Sequence, residues 1–351
     1  MLTYFRQPTK APDALVKKGR FSWGTFNGMV DTINPQEAKS PLGAPLPAFL
    51  KRFRLKEWQA FQFGNARFFC LSAIYNPKTM GLVQLVVIDR LKKRKYLFQR
   101  QLPPWQVHVG SDLKNGVSVS RGNGFFFSAH NHLDEGGVRH TILTGSRGQT
   151  PGLSVSIYGK HTPGLCTPLS ICHPFGENRA LYSHKALMPM SGTLCIGDER
   201  FVFEADESFL IMDDHKGFYP FAMKYDWVTA AGINEKGGLS GFNLTCNQVK
   251  NPEKYNENGL WENGNLHLLP PITVTRPKGH MEAWDVQDRY GRVRLKFYPE
   301  YDGRVDLNVL PFKVRYRAPY GVFEGNIVDD HGVSHSFDGF FGMGEDKYIR
   351  G

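Results

Sequence analysis

The chain has 351 residues, 41% apolar and 13% aromatic, which is enough to bury two ordinary cores and too hydrophobic for a disordered protein. Its formal charge is +10, but Lys and Arg are spread along the sequence, which argues against a dedicated nucleic-acid-binding face. No run reaches the ~20 apolar residues of a spanning helix, and Arg6, Lys10, Lys17 and Lys18 interrupt any apolar core of a secretory leader. Five cysteines at irregular spacing (Cys70, Cys166, Cys172, Cys195 and Cys246) suit a reduced, cytoplasmic protein better than a disulfide framework. Peripheral contact with a membrane surface stays open.

Residues 47–61 place Phe49, Leu50, Phe53, Leu55 and Trp58 at a spacing that is helical only in part. They read as a short helix, a covering segment or the start of an aromatic strand. Beyond them strands dominate. Leu82-Val83-Gln84-Leu85-Val86-Val87-Ile88, Gly124-Phe125-Phe126-Phe127-Ser128, Leu153-Ser154-Val155-Ser156-Ile157-Tyr158 and Lys313-Val314-Arg315-Tyr316-Arg317 are short and rich in β-branched or aromatic residues. In Val293-Arg294-Leu295-Lys296-Phe297 the apolar side chains share one face and the cations the other, as in a sheet with one wet face. The dipeptides Asn115-Gly116, Asn123-Gly124, Asn263-Gly264, Asp302-Gly303 and His331-Gly332 separate apolar runs and supply the positive φ of tight hairpins. The basic run Lys92-Lys93-Arg94-Lys95 reads as a solvated hairpin tip. No glycine-rich phosphate loop follows a strand, and little helix is available for crossovers, so a βαβ nucleotide-binding fold is disfavoured. The expected fold class is all-β: two antiparallel barrels or sandwiches in tandem, with few short helices.

Three echoes in the same order support a tandem repeat. Ala73-Ile74-Tyr75-Asn76 and the following Gly81-Leu82 are answered by Ala231-Gly232-Ile233-Asn234 and Gly238-Leu239. Gly24-Thr25 is answered by Gly192-Thr193, and Leu102-Pro103-Pro104 by Leu269-Pro270-Pro271.

The densest chemistry lies in Asp213-Asp214-His215-Lys216-Gly217, followed by Phe218-Tyr219-Pro220 and Tyr225-Asp226-Trp227. A carboxylate beside an imidazole, bracketed by apolar and aromatic residues, is what a buried acid–base site needs; a polar hairpin loop would use the same residues. On Gly241-Phe242-Asn243-Leu244-Thr245-Cys246-Asn247, alternation puts Asn243, Thr245 and Asn247 on one face, toward a ligand or toward water. His130 and His132 would share a strand face and could hold one side of a metal site, but spacing identifies no third ligand, and no metal or other cofactor is expected. A Gly-x-Ser-x-Gly elbow is absent, so a serine nucleophile has no support.

These segments resemble a known family. Arg54-Leu55-Lys56-Glu57-Trp58-Gln59-Ala60-Phe61, Gly241-Phe242-Asn243-Leu244 and the run Asn251-Pro252-Glu253-Lys254-Tyr255-Asn256-Glu257-Asn258-Gly259-Leu260-Trp261 look like the bacterial proteins grouped as domain-of-unknown-function family 2804. More distantly, the passage from Tyr182-Ser183 through Ser191-Gly192-Thr193 to Met212-Asp213-Asp214-His215 is similar to the start of the second barrel in tandem lipocalin-like proteins. That group includes carotenoid 1,2-hydratases, tocopherol cyclases and some fungal cyclases. The resemblance implies two lipocalin-like β units, residues 1–180 and 181–351. It also implies a cofactor-independent enzyme acting on a hydrophobic or isoprenoid-like molecule, with a non-catalytic lipid carrier and an interaction scaffold as alternatives. Asp214 would be the general acid, His215 its orienting or relaying partner, Tyr219 and Trp227 the pocket walls, and Asn243 and Asn247 the holders of a polar group. Lys216-Gly217 stand where the hydratases carry Glu-Trp, so the cation-stabilising Trp of that motif is missing.

Overall fold

Alternation of apolar and polar side chains builds two large sheets in which every strand pairing is antiparallel. The computed structural model describes residues 4–309 and 312–350; the first three residues of the N-terminal segment lie outside them. The 14-stranded first sheet runs Arg94–Leu102, Gly81–Asp89, Phe68–Asn76, Lys56–Gly64, Phe209–Gly217, Ala180–Ile196, Leu153–Lys160, Gly137–Thr144, Phe125–His132, Val117–Gly122 and Val107–His108, with shorter strands attached. The 12-stranded second sheet runs Asn265–Leu268, Gly259–Glu262, Leu239–Cys246, Ala222–Ile233, Phe340–Arg350, Tyr320–Val328, Val293–Tyr301, Trp284–Asp288 and Ile272–Thr275. Both curl into barrel-like shapes, one nearly closed and one a half-barrel.

Two of the sequence echoes occupy matching places. Leu102-Pro103-Pro104 carries the chain from one end of the first strand path to the other, and Leu269-Pro270-Pro271 does the same in the second. Proline has no N–H to donate to a ladder, so it ends a strand where the chain must cross the seam. Asn76 and Asn234 each sit at a hairpin turn, where their Oδ1 atoms accept the backbone N–H two residues on, from Lys78 at 2.9 Å and Lys236 at 3.0 Å. The first sheet extends to residue 217, past the division at 180 expected from the sequence. Phe209–Gly217 pairs with both Lys56–Gly64 and Ala180–Ile196, joining the early and late strands of one ladder, so the chain changes sheet between Gly217 and Ala222.

The segment at 47–61 combines two of its expected readings: a helix, Ala48–Arg54, ends at an extended Leu55 and runs into the strand Lys56–Gly64. Among the described residues no helix is long and apolar enough to cross a membrane. Lys92 lies at a hairpin tip, paired with Glu199 at 2.7 Å. All five cysteines are free.

Three apolar clusters follow from strand alternation. One fills the first barrel and includes Leu210 and Met212; a second lies between the sheets and takes the opposite face of the same strand, Phe209 and Ile211. The third fills the second barrel around Trp284, Phe297 and Phe323. Trp284 is fully buried and meets Phe297 edge-on at 5.2 Å, and Phe297 stacks on Phe323 at 4.6 Å. Trp284→Ala is therefore expected to cost about 3–5 kcal/mol, read as a lower urea midpoint by circular dichroism. A loss below about 1 kcal/mol would show that this core is not closely packed.

Candidate active site between the two sheets

Polar residues interrupt the middle cluster where the outer faces of the two barrels meet. The register sets Ser183 opposite His215, Lys185 opposite Asp213 and, on the other side, Trp58 opposite His215. His215 Nε2 lies 2.9 Å from Asp213 Oδ1, 2.8 Å from Ser183 Oγ and 3.0 Å from Lys185 Nζ. Lys185 Nζ also reaches Asp213 Oδ1 at 2.6 Å and Glu257 Oε2 at 3.8 Å. The Trp58 ring stacks on His215 with centroids 4.7 Å apart, and Lys347 Nζ lies 4.6 Å from the Trp58 centroid. From the second sheet, Trp227 stands 5.2 Å from Lys185 Nζ, and its Nε1–H donates to Asn243 Oδ1 at 2.7 Å.

Glu257 arrives on a loop that side-chain amides shape. Asn256 Oδ1 accepts the N–H of Asn258 at 2.9 Å, Asn258 Oδ1 accepts that of Thr245 at 2.6 Å, and Asn243 Nδ2 donates to the Glu257 carbonyl at 2.6 Å. Each bond replaces a ladder partner that a loop lacks, which gives the Asn-Glu-Asn run its rigidity.

Burial alone would raise the Asp213 carboxyl, but His215 and Lys185 beside it outweigh that and hold it well below the usual carboxylate range. Glu257 is lowered too, with Lys185 and His215 again overcoming burial. His173, beside Glu257, is pushed down to about 4 by burial, against the pull of that carboxylate, and stays neutral. Burial also raises the Tyr219 and Tyr225 hydroxyls, which remain protonated. Asp213, Ser183 and Lys185 all crowd Nε2 of His215, so Nδ1 is the ring nitrogen left without a protein partner. His215 Nδ1, Asp213 Oδ2, Glu257 Oε2 and Trp58 Nε1 are buried without a hydrogen-bonding protein partner. They surround a pocket lined by Trp58, Lys185, Asp213, His215, Tyr219, Tyr225, Trp227 and Glu257, among others, whose free volume is about 10 Å³. That is room for roughly one water.

Of the residues expected from the sequence, His215, Tyr219, Trp227 and Asn247 line this pocket, while Asn243 braces Trp227 from behind. Asp214 does not join them. Adjacent residues of a strand point to opposite faces, so Asp214 enters the first barrel, bonded to Lys216 at 2.8 Å and 3.0 Å, and Asp213 takes the place beside His215. Counting by two from His215 would have found it. Lys185, Glu257, Trp58 and Lys347 come from distant sequence positions, and nothing local marks them as one site. Glu257 and Trp58 do stand within the segments that carry the family resemblance. His130 and His132 have ring centroids 6.3 Å apart, and among the described residues no group of three or more His, Cys, Asp or Glu is placed to hold a metal.

The family model described as domain of unknown function DUF2804 matches residues 6–350. The chain belongs to this family. No curated protein matches the sequence. Among solved structures, CghA with Sch210972 is similar over 85% of this DUF2804 chain and 89% of its own, at 12% identity and a TM-score of 0.51. Kievitone hydratase from Nectria haematococca is similar over 84% and 88%, at 11% identity and a TM-score of 0.45. At these identities the likeness concerns the fold, which is the tandem lipocalin-like arrangement of two β-barrels. An aromatic wall beside the imidazole is present despite the absence of the Glu-Trp motif, because Trp58 supplies it from the neighbouring strand.

Proposed function

We propose that this DUF2804 protein is a cofactor-independent acid–base enzyme of the hydratase, cyclase or isomerase type, acting on a small molecule with an apolar body. One observation carries the reading: an ionised carboxylate holds an imidazole whose other nitrogen lacks a protein partner, beside an aromatic-walled pocket. His215 is the candidate catalytic residue, taking or returning a proton at Nδ1, and Asp213 orients it through Nε2. Lys185, 2% exposed, supplies positive charge where an oxyanion or enolate would develop. Trp58, Tyr219, Tyr225 and Trp227 hold the apolar body, and Asn247 offers a polar group at the wall.

This geometry moves the chemistry away from alkene protonation by a carboxylic acid. Asp213 is held ionised and cannot donate, and Asp214 faces the barrel interior. The free volume also excludes a bulky isoprenoid with the walls as they stand; Trp58, Tyr219 and Asn247, only half buried, are the wall residues nearest solvent. A lipid carrier would need a standing apolar cavity and would gain nothing from buried charges, which cost stability unless they serve a purpose.

The test is to incubate the protein and its His215→Gln variant with a small-molecule extract of host cells in deuterated water. The wild type is expected to place solvent deuterium on carbon in at least one metabolite, and the variant to do so about a hundredfold more slowly or worse. No such exchange by the wild type, together with a stoichiometric apolar molecule retained in native mass spectrometry, would select the carrier reading instead.

A further inference from the structure

The helix Ala48–Arg54 buries none of its seven residues against its own protein. A helix this short does not hold together in water by propensity alone, so a face with no partner is a feature to be explained. Phe49 is 70% exposed and Phe53 48%. Spaced i and i+4, they lie side by side on one face, with the exposed Leu50 beside them. Lys51, Arg52 and Arg54 flank that face, and residues 38–56 contain no acidic residue at all while carrying Lys39 and Lys56 as well.

Two more exposed aromatics stand at the same end of the first barrel. Lys56, two residues after the helix, pairs with Gly217, and four residues beyond Gly217 comes Phe221, 54% exposed. Glu57 pairs with Asn76, whose side-chain amide donates to the Pro104 carbonyl at 3.0 Å; the next residue, Trp105, is 82% exposed. Lys78 and Arg54 lie close enough to Lys56 to help depress its ammonium, after the larger effect of its burial. An aromatic cluster with a basic surround at one end of a barrel is the arrangement that enters the headgroup region of an anionic bilayer. Long basic side chains keep their charge at the phosphates while aromatic rings go deeper.

We infer that this end of the first barrel, centred on Phe49, Phe53, Trp105 and Phe221, docks the protein on the surface of an anionic phospholipid membrane. Two half-buried wall residues of the pocket lie close by in the chain: Trp58 follows the helix by four residues, and Tyr219 precedes Phe221 by two. Docking therefore places the half-buried pocket walls at the lipid, from which an apolar substrate can be drawn. Only that last step rests on the enzymatic reading; docking itself is measured without turnover.

The test is sedimentation of the full chain with phosphatidylcholine vesicles, with and without phosphatidylglycerol. Binding is expected only with the anionic lipid and is expected to weaken as salt rises. Arg52→Gln with Arg54→Gln should lower the partition coefficient by about thirtyfold. Phe49→Ser with Phe53→Ser should remove binding while leaving the melting temperature unchanged, since both rings are exposed. Equal partition of the double-serine variant and the wild type would overturn the proposal. So would failure to bind anionic vesicles combined with phenylalanine-dependent dimerisation in analytical ultracentrifugation, which would make the patch a contact between two copies.

Discussion

Asp213→Asn is expected to lower turnover by about 10³-fold or more with little change in KM, whereas Asp214→Asn leaves the chemical step nearly intact in molecules that remain folded. Neutralising the carboxylate that orients an acid–base histidine costs this much because the imidazole loses both its tautomer and the charge that stabilises its protonated form. Asp213 Oδ1 is the only carboxylate oxygen within 3 Å of His215 Nε2 among the described residues, and Glu257 Oε2 stands off at 3.7 Å. Asp213→Glu should recover part of the rate, which a purely structural role would not predict. Single-turnover kinetics on the first metabolite found to exchange deuterium would decide it. A large loss of kcat in Asp214→Asn with a silent Asp213→Asn would return the catalytic carboxylate to the barrel interior.

The second large effect is on stability. Lys216→Met should destabilise the first barrel by about 3–5 kcal/mol near neutral pH, because it leaves Asp214 buried as an unpaired charge. Burial already raises the Asp214 carboxyl, with Lys216 pulling it back down. A carboxyl whose folded pKa exceeds its unfolded one favours folding most below the unfolded value, near 3.8, and loses that contribution as pH rises through the folded value. Without Lys216 the folded pKa climbs further, so the penalty of the variant should shrink as pH falls from neutrality and grow as it rises. Asp214→Asn combined with Lys216→Met removes both charges and should recover most of the loss. Urea midpoints at several pH values measure this; a penalty that does not change with pH would mean that Asp214 is not the group left unpaired. Asp213 carries the opposite sign. Held below its unfolded value, it contributes stability above about pH 3.8 that is lost as pH falls toward its folded pKa.

Much of this protein is legible before folding. The all-β class follows from alternating runs such as Val293-Arg294-Leu295-Lys296-Phe297, which becomes part of the strand Val293–Tyr301 with Val293, Leu295 and Phe297 in the core. Asn123-Gly124 and Asn263-Gly264 are hairpin tips, with Gly124 at φ +76° and Gly264 at φ +82°, because only a residue without Cβ adopts that backbone cheaply. The Leu-Pro-Pro echoes mark the barrel seams. The polar run around residue 214 does contain the candidate site, but treating Asp214-His215 as a pair overlooks the two-residue period of a strand. The cationic helix at 48–54 is likewise hidden in a charge average, since a net +10 spread over the chain conceals a stretch from 38 to 56 without one acid.

Local sequence thus determined the strands, the turns and the composition of each face, since these depend on φ preferences and on a period of two that neighbouring residues set between themselves. Tertiary structure alone decided which faces meet. Lys185, Asp213, His215, Glu257 and Lys347 gather from three strands and a loop spanning more than 160 positions, because the outer surfaces of the two barrels are pressed together. Water is excluded there, so charges that would be ordinary on a lone barrel surface become a coupled, partly unsatisfied cluster. That desolvation is a property of the contact between the barrels, and no single segment carries it.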